Sequence, residues 1–312
     1  MGVEADIRVA NAPCSWGVLE FDGLAPVSVT ADRFLDEVVA TGYEGTELGD
    51  WGFLPTDPAA LREALDARGL VLVAAFVPVA FKDPQAHAPG RTRALAVARL
   101  LAGAASPEWS PLIVLADDNG RDPVRTRCAG RITPSQGLSP EEWATFARGV
   151  EEVARSVREE TGLRTAFHHH CAGYVETPAE IAALLERLDP ALVGLTFDTG
   201  HYAYGSGCQD GRAVLAGVER FADRIWHVHF KDCDPDVARR ARHEGWDYFQ
   251  AVRRGLFCEL GRGCVDFAGV VDFLRGRGYR GWIVVEQDVL PGMGTPEESA
   301  RRNREFLRHV GV

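Results

Sequence analysis

The sequence predicts an α/β protein built as a single (β/α)₈ TIM barrel, and three observations predict it. Short β-branched runs, each ending at a polar residue, alternate with longer stretches of helical period, and eight such runs occur. The chain has 312 residues, the size of one barrel of this kind. The first run leads into Ala12-Pro13-Cys14-Ser15-Trp16-Gly17, which lacks the glycine pattern of the phosphate turn in a doubly wound open sheet. No linker and no low-complexity segment interrupts the alternation, so residues 1–312 read as one domain.

The predicted strands are Ile7–Asn11, Gly45–Leu48, Val71–Val77, Leu112–Leu115, Arg164–His168, Val193–Phe197, Ile225–His229 and Trp282–Glu286. Helices are expected between them where capping residues frame a periodic stretch. Ala31–Thr41 is closed by Gly42, and Pro58–Arg68 follows Asp57 and stops at Gly69. Glu141–Thr161 follows Ser139-Pro140 and stops at Gly162, and Pro178–Leu188 follows Thr177. Phe267–Arg277 ends at Gly278, and Pro296–His309 follows Thr295. Arg91–Ala105 and Arg212–Ala222 are helical with weaker boundaries. The long connection from Asp232 to Asp266 is expected to be a loop lining or covering a site.

Composition removes several functional classes. A hydrophobic fraction of 46% is enough to bury a core, which excludes a disordered chain. The 34 Lys+Arg against 45 Asp+Glu give a net charge of −11, which repels a nucleic-acid backbone, and Arg239-Arg240-Ala241-Arg242 is too short to reverse that. The longest apolar run, Leu70 to Phe81, is twelve residues and is broken by Pro78, so no membrane span is expected. Glu4, Asp6 and Arg8 stand where a signal peptide would be apolar. Seven scattered cysteines without a Cys-x-x-Cys read as reduced thiols, hence a cytoplasmic protein.

Barrel enzymes carry their chemistry at the C-terminal strand ends. Those ends here hold Glu47; His168, His169 and His170; Asp198 with His201; His227, His229, Lys231 and Asp232; and Glu286. Alternation turns His168 and His170 the same way and His169 elsewhere, and it likewise pairs His227 with His229. Each group alone has an ordinary structural explanation. Together they are costly to bury at one barrel mouth unless a metal or substrate compensates. Imidazole and carboxylate donors without thiolate suit Mn²⁺, Co²⁺, Fe²⁺ or Zn²⁺ without choosing among them; Mn²⁺ or Co²⁺ is the expected ion, with Mg²⁺ as a further alternative. Cys171 as a nucleophile with His169 or His170 as its base is a weaker reading. Trp16 and Trp51 are either core or a sugar-stacking face, and Gly261-Arg262-Gly263 reads as a loop turn.

Ala12-Pro13-Cys14-Ser15-Trp16-Gly17, Gly45-Thr46-Glu47-Leu48-Gly49, Phe167-His168-His169-His170, Val175-Glu176-Thr177, Phe197-Asp198-Thr199-Gly200-His201, His227-Val228-His229-Phe230-Lys231-Asp232 and Val285-Glu286-Gln287-Asp288 resemble the xylose-isomerase-like barrel superfamily. Within it they are most similar to the inosose (2-keto-myo-inositol) dehydratase branch, over nearly the whole chain. The resemblance implies a divalent metal held by His168, Asp198, His229 and Glu286, with His168 in place of the superfamily's first Glu. Two segments depart from the branch, Cys171-Ala172-Gly173 and Ser206-Gly207-Cys208-Gln209.

The expected activity is that of a metal-dependent lyase dehydrating a cyclic polyol ketone such as 2-keto-myo-inositol through an enediolate. His170 and Glu47 are the candidates for proton transfer, Lys231 for holding an oxyanion or substrate hydroxyl, and His201 for orienting Asp198 or the substrate. One alternative is a metal-dependent sugar or inosose epimerase or isomerase using the same enediolate. A second is a non-catalytic sugar-binding barrel subunit. Related DNA-cleaving barrels are disfavoured by the charge. The partner is thus a small polyol or sugar, not a membrane, and analogy with such barrels is compatible with a homodimer.

Overall fold

The structure is a computed structural model, and it describes residues 7–17, 29–207, 211–289 and 294–312. Its strands are β1 (Ile7–Asn11), β2 (Gly45–Thr46), β3 (Val71–Leu72), β4 (Ala74–Pro78), β5 (Leu112–Ala116), β6 (Arg164–His168), β7 (Val193–Asp198), β8 (Ile225–Phe230), β9 (Asp232–Cys233), β10 (Phe257–Cys258) and β11 (Gly281–Val285). All but β9 and β10 form one parallel sheet in the order β3-β2-β1-β11-β8-β7-β6-β5-β4. β9 and β10 make a small antiparallel pair.

The two ends of that sheet belong to one predicted strand. β3 ladders with β2, β4 ladders with β5, and only Val73 separates them. Val73 donates its N–H to the Thr46 carbonyl (2.9 Å) and accepts from the Leu112 N–H (3.2 Å), joining both neighbours. The segment predicted as Val71–Val77 is therefore the stave that closes the barrel. The other seven predicted strands are present to within two residues at either end.

The strand period of two separates two cores. Outward positions such as Val9, Val77, Ile113, Leu115, Phe167, Phe197 and Phe230 pack under the helices. Inward positions such as Ala10, Ala74, Leu112, Val114, Ala166, Trp282 and Val284 fill the barrel itself. Trp109 meets Trp282 edge-on at 5.9 Å in this inner cluster.

The helices form where caps frame them. Thr30, Asp57, Ser139, Thr177 and Thr295 each accept a backbone N–H of the first helical turn, and Ser139, Thr177 and Thr295 complete capping boxes. The third helix runs Pro84–Ala104, seven residues earlier than the sequence indicates. Asp83 caps it, and Pro89-Gly90 inside the helix hides its start from a propensity reading. The connection after β8 is more ordered than a loop. It contains the β9–β10 pair and helices Pro235–Glu244 and Tyr248–Val252. Among the described residues no helix is long and apolar enough to cross a membrane.

A buried polar network secures the segment that follows β6. Arg125, fully buried, donates to both Glu180 carboxylate oxygens (2.7 and 2.9 Å) and to the Gly173 carbonyl (2.7 Å). Glu176 accepts the N–H of Gly130 (2.6 Å) and of Ala172 (2.8 Å), and Ala172 has a left-handed φ of 65°. That backbone conformation is unfavourable for alanine and persists because both flanks are tied down. Removing one partner strands a buried charge. Glu180→Ala should therefore lower unfolding free energy by about 3–5 kcal/mol, read from urea melts.

Candidate active site

The inward parity of the staves continues into the chemistry at their C-terminal ends. His168 and Asp198 end β6 and β7, His229 stands one residue before the end of neighbouring β8, and Asp198 lies opposite His229 in the β7–β8 ladder. Their donor atoms all fall within 4.8 Å of one another. His168 Nε2 is 3.6 Å and His229 Nδ1 is 3.9 Å from Asp198 Oδ2, and Glu286 Oε1 is 3.2 Å from the same His229 nitrogen. The structure thus brings together all four residues that the sequence nominated for a metal.

Local hydrogen bonds fix which atoms face inward. Asp198 caps the helix Thr199–Gly205, its Oδ1 accepting the His201 N–H at 2.8 Å. Its Oδ2 is left over. His169 turns away, as alternation requires, and accepts the Asp198 N–H at 3.1 Å. His168 Nε2, Asp198 Oδ2 and His229 Nδ1 are all buried without a hydrogen-bond partner. Three orphaned polar atoms converging on one point are costly as they stand, and a bound cation is what would satisfy them.

The opposite side of His229 is occupied. Its Nε2 donates to Glu47 Oε1 at 2.9 Å, and His227 Nε2 donates to the same oxygen at 2.8 Å. Glu47 is nearly fully buried, which would raise its pKa, but the two imidazoles pull it well below the usual carboxylate range.

Charge around the centre is unbalanced. Glu47, Asp198, Glu286 and Asp288 surround His229 and Lys231. Burial lowers the His229 pKa, but Glu286 and Glu47 outweigh it and carry the ring up to about 9. Lys231 lies 3.4 Å from Glu286 and 3.5 Å from Asp288, and these carboxylates overcome burial to hold its ammonium well above its ordinary pKa. His168 goes the other way, pushed down to about 3 by burial and by His229. The centre is therefore built to hold positive charge.

His170 stands one step above. Its Nδ1 lies 2.6 Å from the Cys171 carbonyl, so that nitrogen carries the proton and Nε2 keeps its lone pair. Burial and His168 lower its pKa to about 3, leaving the ring neutral. His201 packs against its face with centroids 3.7 Å apart. His201 does not line the cavity. It supports His170 and, through its backbone, Asp198.

These groups open into a cavity of about 310 Å³ whose walls include Glu47, His168, His170, Lys231 and Glu286. Sequence reasoning missed part of the wall. Asp288 follows Glu286 on the inward parity, and Arg93 and Asn119 come from a helix and a loop without any motif signal. Tyr248 and Phe249 arrive from the long connection, which does line the site as expected. Trp51, 55% exposed, borders the cavity, whereas Trp16 is core and donates to Glu37 at 2.6 Å. Burial pushes the Cys14 and Cys171 thiols well up, which makes Cys171 a poor nucleophile. Gly261 and Gly263 donate their N–H groups to Asp232 Oδ2, closing a loop. Cys208 and Gln209 lie outside the described residues.

A parallel barrel with imidazoles and carboxylates gathered at its mouth defines a class of enzyme that works on small molecules with a divalent metal. The chain belongs to the xylose isomerase-like TIM barrel family, whose sequence profile matches residues 35–310. It is 33% identical over 303 residues to an inosose dehydratase of Geobacillus kaustophilus, covering 96% of this chain and 93% of that protein. It is 34% identical over 311 residues to the rhizopine catabolism protein MocC of Rhizobium meliloti, covering 98% of this chain and 89% of that one. Among solved structures, the probable 3-DHS dehydratase AsbF of Bacillus anthracis superposes with a TM-score of 0.68 at 12% identity, over 97% of this chain and 99% of that chain. The IOLI protein with a bound zinc atom superposes at 0.66 and 15% identity, over 97% and 98%. These two likenesses concern the fold.

A cation that binds the folded centre raises stability by mass action, about 2.7 kcal/mol at a hundred times its Kd. Added Mn²⁺ or Co²⁺ should raise the melting temperature of the wild type, a chelator should reverse it, and Asp198→Ala should respond to neither.

Proposed function

We propose that the protein is a metal-dependent hydro-lyase that removes water from a cyclic polyol ketone of the 2-keto-myo-inositol type. One observation carries this reading: an unsatisfied His168–Asp198–His229 donor set lies behind a cavity whose wall holds His168 itself, a neutral imidazole (His170) and a fixed ammonium (Lys231). The name of the Geobacillus kaustophilus relative supports the substrate class. The −11 charge accords with an uncharged small molecule as partner and not with nucleic acid. Residues 1–312 act as one domain in this reading. The six cysteines among the described residues are free thiols, in keeping with a cytoplasmic enzyme.

His168, Asp198, His229 and Glu286 would hold the cation, with Mn²⁺ or Co²⁺ suiting the mixed imidazole and carboxylate donors. Once bound, such a cation polarises a ketone and its neighbouring hydroxyl and so acidifies the α-carbon. His170 would take the α-proton at Nε2, the nitrogen left with a lone pair because Nδ1 is committed to the Cys171 carbonyl. The imidazolium so formed returns that proton to the departing β-hydroxyl, which leaves as water. A single residue thus balances the protons of the elimination. Lys231 stays charged between Glu286 and Asp288 and holds a substrate oxygen as negative charge develops on it. His201 keeps the His170 ring in place from behind.

Mass spectra of 2-keto-myo-inositol incubated with Mn²⁺-loaded protein in D₂O should show the loss of one water, abolished by chelator. Retention of the water with deuterium uptake would move the protein to the epimerase or isomerase class. No change in the ketone would refute the substrate. His229→Ala should lose bound metal and turnover together. Lys231→Ala should retain metal while kcat falls by a factor of about 10² or more, as when a charge-stabilising donor is removed.

A further inference from the structure

We propose that Glu47, with His227, is a positioning pair for His229: it holds the proton on Nε2, so that Nδ1 alone turns its lone pair toward His168, Asp198 and Glu286. The inference rests on the metal-centre reading above. With a cation in place of the ring's second proton, an imidazole offers it one lone pair, and the nitrogen that keeps its hydrogen bond decides where that lone pair points. At His229 the choice is imposed from outside. Glu47 Oε1 lies 2.9 Å from Nε2, and a carboxylate oxygen can only accept there. The other tautomer would set a nitrogen lone pair against that oxygen in hydrogen-bond geometry, whereas Glu286 Oε1, 3.2 Å from Nδ1, makes no hydrogen bond to it.

Glu47 reaches its partner from the far side of the barrel. It follows β2, which is separated from β8 by β1 and β11, so its side chain crosses the interior. A carboxylate only 3% exposed is costly unless it is paired, and both of its partners are histidines of β8. His227 sits one inward position deeper than His229 and donates to the same oxygen at 2.8 Å, which fixes the rotation of the carboxylate. Both donors are on Oε1, so that oxygen is committed to the β8 histidines, and the work it does is orientation.

Glu47, His227 and His229 also form a second group compact enough to hold a metal. Its contacts are different in kind. The atoms are at hydrogen-bond distances and satisfy one another, whereas His168 Nε2, Asp198 Oδ2 and His229 Nδ1 are orphaned. One cation site among the described residues follows.

The test uses zinc-loaded protein labelled with ¹⁵N-histidine, read by long-range proton–nitrogen correlation and by zinc competition against a chelating dye. His229 should be protonated at Nε2 and coordinated through Nδ1, with one zinc per chain. Glu47→Leu should lose the protected Nε2–H signal and bind zinc about ten- to a hundredfold more weakly. Glu47→Gln retains an oxygen acceptor, so it should keep the tautomer with a smaller loss, and it reads the pair if the leucine variant does not fold. His227→Phe should keep the tautomer and lose less affinity than Glu47→Leu. Coordination of His229 through Nε2 would overturn the proposal. So would wild-type affinity in Glu47→Leu, or two zinc ions per wild-type chain with one lost in His227→Phe. A wild type that takes up no divalent cation would bring down the metal centre and the pair together.

Discussion

The constraint on which everything else depends is the two-residue period of strands closed into a barrel. A residue that points inward is surrounded by other staves and cannot reach bulk water, so each inward position must find its partners inside. Along most of the barrel the solution is apolar, with Ala10, Val114, Ala166 and Val284. Toward the C-terminal ends it changes to His168, Asp198 and His229 without any change of parity. The reactive layer is thus the top layer of the core. Its geometry is inherited from ladder register, which is why Asp198 and His229 stand opposite each other.

That position explains the electrostatics. Carboxylates introduced into a core demand positive partners, and few are supplied. Lys231 satisfies part of Glu286 and Asp288, and the imidazoles of His227 and His229 satisfy Glu47. The remaining demand falls on the point shared by His168, Asp198 and His229, where hydrogen bonding does not meet it. Lys231 is held charged by the same shortage, which suits it to bind a developing negative oxygen and unsuits it to accept a proton. His170, outside the carboxylate ring and backed by His201, is left neutral. The division of labour between ammonium and imidazole follows from distance to the carboxylates.

Much of this was legible in the sequence because parity and strand ends are local features. His168, Asp198, His229 and Glu286 announced themselves by ending apolar runs, and the turning away of His169 follows from alternation alone. Four things were not legible. The closing stave reads as one strand, since nothing in Val71–Val77 marks Val73 as the point where pairing passes from β2 to β5. The start of the third helix is obscured by Pro89-Gly90, which propensity penalises and tertiary packing tolerates. The pairing of Glu47 was hidden, because a sequence does not show that a residue after β2 meets histidines of β8 across the barrel. The wall residues Arg93 and Asn119 carry no motif at all. Long-range contacts made them part of the site.

The end of β8 shows how one local pattern serves two tasks. Lys231 points into the cavity, and its neighbour Asp232, on the opposite parity, points out of it. Asp232 accepts the N–H groups of Cys233, Gly261, Gly263 and Val265 and so gathers the far end of the connection onto the rim. The same connection carries Tyr248 and Phe249 into the cavity wall. The ammonium in the cavity wall and the carboxylate that fixes this connection are adjacent in the chain. One dipeptide at the end of β8 thus supplies both a charged group of the cavity wall and the anchor of the segment that carries Tyr248 and Phe249 into it.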